Sequence, residues 1–114
     1  MLEKDIERKL IKPIRSLGGL CLKFVTPGFT GVPDRIILLP GGMIRFVETK
    51  QPGKKERARQ RLVHGLLRKL GFIVYSTVDS AEKIDRIIAD CTEAVNGKSI
   101  HPLPLPAIRG EGDH

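Results

Sequence analysis

The 114-residue sequence has few aromatic residues, 4% of the chain, and no tryptophan. Proteins that hold single-stranded nucleic acid commonly stack its bases on aromatic side chains, so that mode of binding is not expected. There are only two cysteines, Cys21 and Cys91. They form no CxxC pair, and neither a disulfide framework nor a zinc site is supported. Both lie in apolar segments, and we expect them to pack as small buried hydrophobes in a reducing compartment.

Long hydrophobic runs are also missing. No apolar segment approaches the roughly 18 residues that a membrane-spanning helix needs, and the chain is charged from Glu3 onwards. We therefore expect a cytoplasmic protein with no membrane partner. The length is that of one domain, and no motif in it suggests a small-molecule cofactor.

Acidic residues are outnumbered by basic ones, 13 against 20, which gives a formal net charge of +7. This balance favours a polyanionic partner such as DNA. Eight basic residues and one acid, Glu56, lie in the segment 50–69. A solvated helix face is an equally good explanation of that run taken alone. The residues that we predict to contact DNA phosphates are Lys54, Lys55, Arg57, Arg59 and Arg61.

The hydrophobic pattern predicts the element order α-β-β-β-α-β-α. The predicted elements are a helix over 3–17 that Pro13 kinks or splits, strands over 20–26, 35–39 and 43–50, a helix capped by Gly71, a strand over 72–77, and a last helix opened by a capping box of Asp79 and Glu82. The crossover after the third strand favours parallel pairing of the fourth. A mixed sheet with helices on both faces is the expected architecture. From about residue 96 the pattern stops, so we assign 1–95 to the domain and 96–114 to a Pro-rich extended or disordered tail.

The most informative segment is the predicted hairpin. If Leu39 pairs with Met43 across a three-residue loop, Asp34 lies directly opposite Glu48. The two-residue period of a strand then places Lys50 on the same face as Glu48. Two carboxylates that close repel each other unless a cation lies between them, and Mg²⁺ suits such a site. Taken alone the pattern is weak, because the same residues occur in turns and on exposed edge strands.

Gly31-Val32-Pro33-Asp34 together with Glu48-Thr49-Lys50 resembles the PD-(D/E)xK nuclease motif, and in particular its VRR-NUC branch. The resemblance covers about residues 3 to 78 and includes a glutamate on the first helix and Gln60 on the helix after the hairpin. It implies a restriction-endonuclease-like α/β fold, a mixed β-sheet flanked by helices. It also implies a DNA endonuclease that depends on Mg²⁺ or Mn²⁺, in a bacterial cell or a phage-infected host.

The resemblance also implies roles for the site residues. Asp34, Glu48 and the backbone carbonyl of Thr49 would hold the metal, whereas the Thr49 side chain is expected to point to the opposite face. Glu3 would act on the metal directly or through water, with Glu7, one turn later, as the alternative acid.

Two further residues would support the chemistry. Lys50 would orient the attacking water or stabilise charge on the phosphate, and Gln60 would support the site or contact DNA. His64, by contrast, is predicted to be an ordinary surface or core residue of its helix.

Stand-alone members of this branch resemble Holliday-junction resolvases, which implies a homodimer that cuts branched DNA. Two other readings stay open from the residues alone. One is a basic nucleic-acid-binding module that keeps the fold without catalysis. The other is an adaptor that binds a partner through its Pro-rich tail.

Overall fold

The structure, a computed structural model, describes residues 2–97. A four-stranded sheet with the order β1-β2-β3-β4 forms its centre. The strands are β1 (Leu20–Lys23), β2 (Arg35–Leu39), β3 (Met43–Thr49) and β4 (Ile73–Val78). Strands β1 to β3 pair antiparallel, and β4 pairs parallel to β3. The predicted mixed sheet, element order and restriction-endonuclease-like α/β class are confirmed.

The first helix consists of three consecutive segments, α1 (Glu3–Ile6), a π-helical segment (Glu7–Ile11) and α2 (Lys12–Ser16). In the π segment the Lys12 N–H donates to the Glu7 carbonyl, five residues back. Pro13 lacks an N–H, and its ring needs room near the carbonyl four residues earlier. The wider π turn lies directly before it, where such bulges relieve strain. Pro13 therefore leaves one helical path with a π segment instead of two separate helices.

The main core lies between the sheet and the layer formed by the first helix and α4 (Ala81–Gly97). Alternate strand residues face it, as the two-residue period requires: Cys21, Ile37, Leu39, Val47 and Val78. Both cysteines are buried and free, as predicted. Burial raises the pKa of Cys21 to about 12 and that of Cys91 to about 11, so both thiols stay protonated at neutral pH.

Helix α3 (Ala58–Lys69) covers the opposite face of the sheet. It ends as predicted, because Gly71 adopts a φ of 101° and the Phe72 N–H donates back to the Leu67 carbonyl. Its apolar stripe is only partly inward: Val63 is buried, whereas Leu62, Leu66 and Leu70 are 55%, 47% and 75% exposed. The helical period of the apolar residues predicts where the helix lies, but it does not show which side of the apolar stripe the sheet covers.

Two predicted element ends differ in the structure. The predicted capping box of Asp79 and Glu82 is wrong: Ser80 caps α4 by accepting from the Lys83 N–H at 3.3 Å. The carboxylate of Asp79 pairs instead with the Lys83 ammonium at 2.9 Å. Strand β1 ends at Lys23, short of the predicted 26, although the Phe24 N–H still donates to the Asp34 carbonyl.

Within residues 2–97 no helix is long and apolar enough to cross a membrane. Helix α4 continues through Gly97, two residues past the predicted end of the domain. The rest of the predicted tail, 98–114, lies outside the described residues.

Candidate active site

The loop before β2 is pressed against α3, and this contact positions Asp34. Gly31 has a φ of +90°, and a Cβ atom there would lie 2.9 Å from both the Cγ and the carbonyl oxygen of Arg59 and 3.0 Å from Val63 Cγ2. Only glycine fits a backbone of this conformation so close to a helix. Pro33 is fully buried. Packing of the Gly-x-Pro-Asp segment thus places Asp34 at the start of β2.

Asp34 is tied to the end of β3. The register Leu39 to Met43 is confirmed, and the ladder ends at the pair Arg35 and Val47, one step before Asp34. Beyond that step, Asp34 accepts from the Thr49 N–H at 3.2 Å through Oδ1 and from the Thr49 hydroxyl at 2.5 Å through Oδ2. The prediction that the Thr49 side chain points away from the carboxylates is therefore wrong.

The neighbouring strand is irregular at the same level of the sheet. Between β3 and β4 the register passes from Val47 opposite Tyr75 to Thr49 opposite Val78, so two residues of β4 face Glu48 alone. One of them, Thr77, has a φ of 54°, a conformation uncommon for a β-branched residue. Such a bulge increases local twist and interrupts the alternation of side chains. This bulge lies in β4, whereas Asp34 lies just before β2 and outside the hairpin ladder, so the strict alternation on which the prediction for Thr49 rested does not constrain the Asp34 side chain.

Glu48 is buried, with 6% of its surface exposed. Its Oε2 atom lies 3.6 Å from the Lys50 ammonium. Burial, and secondly the carboxylate of Asp34, raise the pKa of Glu48 to about 7, while Lys50 acts in the opposite direction. The Glu48 carboxylate thus lies in a weakly solvated site, near enough to Asp34 to feel its charge and with one lysine beside it.

Lys50 is itself held by Gln60. The Lys50 ammonium donates to Gln60 Oε1 at 2.8 Å. The same oxygen accepts from the Arg57 N–H at 3.0 Å, where it caps the first turn of α3. Gln60 therefore links the start of α3 to the Lys50 side chain, and the structure places it within the candidate site.

Comparison with known proteins identifies the family. No family model matches the chain. The protein named "Putative nuclease p44" of Acyrthosiphon pisum secondary endosymbiont phage 1 is 48% identical over 69 residues, which are 60% of this chain and 74% of that protein. A solved structure described as a VRR_NUC domain superposes with a TM-score of 0.67 at 32% identity, over 76% of this chain and 94% of that one. The chain belongs to the VRR-NUC family. The resemblance seen in the sequence is thereby confirmed.

The first-helix acids of this VRR-NUC protein are placed differently from one another. Glu3 Oε1 lies 2.9 Å from Arg35 Nη2 and 3.0 Å from Lys23 Nζ. Arg35 is only 2% exposed and follows Asp34 directly, so Glu3 neutralises a buried cation next to the site. Glu7 lies in the π segment and is half-buried.

The predicted DNA-contacting residues all have exposed positions, but they are not equivalent. Arg59 stacks over the Phe29 ring at 5.0 Å and donates to the Thr30 carbonyl at 3.2 Å. Arg61 donates to the Glu56 carbonyl at 3.0 Å. Arg59 thus has a structural role, since its contacts hold the loop that precedes Asp34 against α3.

Sequence reasoning missed a polar cluster behind Glu48, formed by His64, Glu56 and Ser76. His64 Nδ1 lies 2.9 Å from both Glu56 Oε1 and Ser76 Oγ. A signal for it does exist in the sequence. His64 follows Gln60 by four residues and therefore shares its helix face, and it interrupts an otherwise apolar stripe. The prediction left open whether His64 lies on the surface or in the core; the structure buries it fully and gives it polar contacts that the prediction did not include.

Proposed function

We propose that this VRR-NUC protein is a metal-dependent DNA endonuclease that hydrolyses phosphodiester bonds. The observation that carries the proposal is the buried Glu48 carboxylate, which interacts with Asp34 on one side and with Lys50 on the other. Burying two like charges together is costly unless a cation compensates them. A protein of a nuclease family that keeps such a pair at the ends of its two central strands is well suited to bind a metal ion there.

The donor atoms fit Mg²⁺ or Mn²⁺. Asp34 and Glu48 would supply carboxylate oxygens, the Thr49 backbone carbonyl would supply a third oxygen, and Glu3 would act directly or through water. Mg²⁺ is commonly held by one or two carboxylates and completes its shell with water and phosphate oxygens. Among residues 2–97 there is no cluster of three or more His, Cys, Asp or Glu side chains arranged for a metal, so substrate and water would provide the remaining ligands. When bound, the ion supplies a Lewis acid that polarises the scissile phosphate and lowers the pKa of an attacking water.

Lys50 gives the site its fixed positive charge. The Lys50 side chain is 15% exposed, and its ammonium is held between Glu48 and Gln60 in a restricted orientation. A cation aimed at the phosphate stabilises the charge that develops there, and a preorganised donor of this kind contributes about 10²- to 10³-fold to the rate. We assign this role to Lys50 and assign to Gln60 the role of holding Lys50 in place.

DNA would approach across the start of α3. Lys54, Lys55 and Arg57 are exposed in the segment between Lys50 and the helix, and Arg61 follows one turn later. Side chains of this kind contact phosphates without reading sequence. Their binding is expected to weaken as salt rises.

We also propose that the protein acts as a homodimer on branched DNA such as Holliday junctions. One chain offers one site, and two symmetric cuts need two. Leu62, Leu66 and Leu70 form an exposed stripe on α3, and a second copy of the chain is the partner proposed for it. Analytical ultracentrifugation of wild type and Leu66→Glu tests this, since a dimer should become a monomer in the variant. A monomeric wild type would contradict the dimer and leave the chemistry intact.

Glu48→Ala is the direct test of the chemistry. We expect it to abolish cleavage of duplex or four-way-junction DNA in Mg²⁺, because one ligand is removed, while DNA affinity stays close to that of wild type. Glu82→Ala, which removes an exposed carboxylate of α4, is the matched control and should cleave normally. Full activity of Glu48→Ala would refute the assignment.

A further inference from the structure

A fully buried histidine lies directly behind Glu48. His64 has 0% of its surface exposed. Its Nε2 atom lies 4.0 Å from Glu48 Oε1 and has no hydrogen-bond partner among residues 2–97. Its other nitrogen is engaged by Glu56 and Ser76. The imidazole ring therefore lies between two carboxylates, hydrogen-bonded to Glu56 through Nδ1, with Nε2 4.0 Å from the carboxylate of the candidate site.

The contacts of Glu56 determine how the ring is held. Burial tends to raise the pKa of Glu56, but hydrogen bonds from Ser76 and His64 and the nearby charges of His64 and Arg68 outweigh it, so the pKa is lowered. An ionised carboxylate only accepts hydrogen bonds, so the ring donates from Nδ1 to Glu56 Oε1 at 2.9 Å. Arg68 completes the cluster by donating to Ser76 Oγ at 2.8 Å. With Nδ1 occupied in this way, the ring cannot turn without breaking its hydrogen bonds.

From this geometry we infer that His64, oriented by Glu56, is a positioning residue for Glu48. It occupies the Oε1 side of the carboxylate, while Lys50 occupies the Oε2 side at 3.6 Å. Held between these two groups, Glu48 keeps one orientation toward Asp34 before any ligand arrives. The inference rests on the proposed function, since it assumes that Glu48 is a metal ligand.

A histidine that only fills space in the core would need neither an Nε2 atom that faces Glu48 nor a Glu56 carboxylate beside Nδ1. Burying an imidazole nitrogen without a hydrogen-bond partner costs free energy, and an apolar side chain would fill the same space without that cost. Partners that orient a metal ligand from behind typically change metal affinity or activity by about 10- to 100-fold when they are removed. The two roles therefore predict different responses of metal binding to substitution.

Glu56→Gln is the best variant, because it keeps the shape of the side chain, does not touch Glu48 and removes the charge that orients the ring. His64→Leu and His64→Gln form a second pair, in which glutamine can still place a polar nitrogen near Glu48. Glu82→Gln is the matched control on an exposed surface. Mn²⁺ affinity is measured by the loss of the free-ion electron paramagnetic resonance signal, without DNA, and thermal melting by circular dichroism reports folding.

We expect Glu56→Gln and His64→Leu to weaken Mn²⁺ binding about 10-fold or more. His64→Gln should bind Mn²⁺ with most of the wild-type affinity, whether or not its melting temperature differs from that of His64→Leu. If wild type binds Mn²⁺ and Glu56→Gln binds it equally well, the positioning role is refuted and the proposed function stands. If wild type binds no Mn²⁺ without DNA, no metal site is preformed and the positioning role of His64 is refuted, while the metal-dependent function is decided separately by cleavage in Mg²⁺ against EDTA.

Discussion

Replacing Gly31 with alanine should destabilise the protein far more than the same change at another glycine of similar conformation. At Gly31 the φ is +90° and a Cβ atom would meet the Arg59 carbonyl oxygen at 2.9 Å. At Gly28 the φ is +81°, and a Cβ atom would have nothing within 4 Å. The two positions share the cost of a left-handed backbone and differ only in the close approach of α3. The pair of variants therefore isolates the packing that positions Asp34.

The expected magnitudes follow from these two terms. A left-handed conformation costs an alanine about 1–2 kcal/mol, which is the whole effect expected for Gly28→Ala. Overpacking adds about 1–3 kcal/mol, so Gly31→Ala should lose roughly 2–5 kcal/mol in all. The clash with a backbone oxygen cannot be relieved by a side-chain rotation. Movement of the loop would relieve it, and that movement would displace Asp34.

Urea denaturation of wild type and both variants measures the free energies of unfolding, and a cleavage assay at a temperature where all three are folded measures activity. We expect Gly31→Ala to lose activity even when folded, whereas Gly28→Ala stays close to wild type. Equal free-energy losses for the two variants would refute the argument that close packing against α3 requires glycine at position 31.

Three further predictions concern charges. The pKa of Glu48 rises from its ordinary 4.5 to about 7 on folding, so the folded state binds the extra proton and metal-free stability falls as pH rises from about 4.5 through 7. Glu48→Gln should remove that fall and gain at most about 3 kcal/mol of unfolding free energy at pH 8, measured by urea denaturation in EDTA. Parallel pH profiles of wild type and variant would contradict this prediction. Glu3→Gln should lower both the melting temperature and the cleavage rate, because it removes the charge that pairs with the buried Arg35 beside the site. Glu7→Gln should change the cleavage rate little. A larger loss of cleavage rate in Glu7→Gln than in Glu3→Gln would assign the acid to Glu7. Arg57→Gln should reduce the slope of log affinity against log salt by about 1, unlike a Lys9→Gln control on the first helix, and equal slopes would exclude the start of α3 as the DNA surface.

Much of the fold could be predicted because strand and helix periods are local properties of the sequence. The hairpin is the clearest case: Leu39 and Met43 flank a Pro-Gly-Gly turn, and the loop length sets the register on which the placement of Asp34 depends. Gly71 likewise predicts the end of α3, because the left-handed residue that caps a helix is usually glycine.

The misses at the candidate site share a physical cause, since each depends on a residue distant in sequence. The Thr49 hydroxyl donates to Asp34, 15 residues earlier in the chain, and nothing within β3 itself signals that contact. The His64 contacts need Glu56 and Ser76, which come from a loop and another strand. Leu66 follows the helical period and is nevertheless 47% exposed. Tertiary contacts of this kind override local patterns.

The central claim, metal-dependent cleavage of DNA by Asp34, Glu48 and Lys50, is tested most directly by a single cleavage panel. Labelled linear duplex, flap and four-way-junction DNA are incubated with wild type and Lys50→Ala, in Mg²⁺, in Mn²⁺ and in EDTA. We predict nicking by wild type in either metal and none in EDTA, fastest on the four-way junction, with Lys50→Ala slower by about 10²- to 10³-fold. Cleavage in EDTA, or equal rates for wild type and Lys50→Ala, would contradict the account.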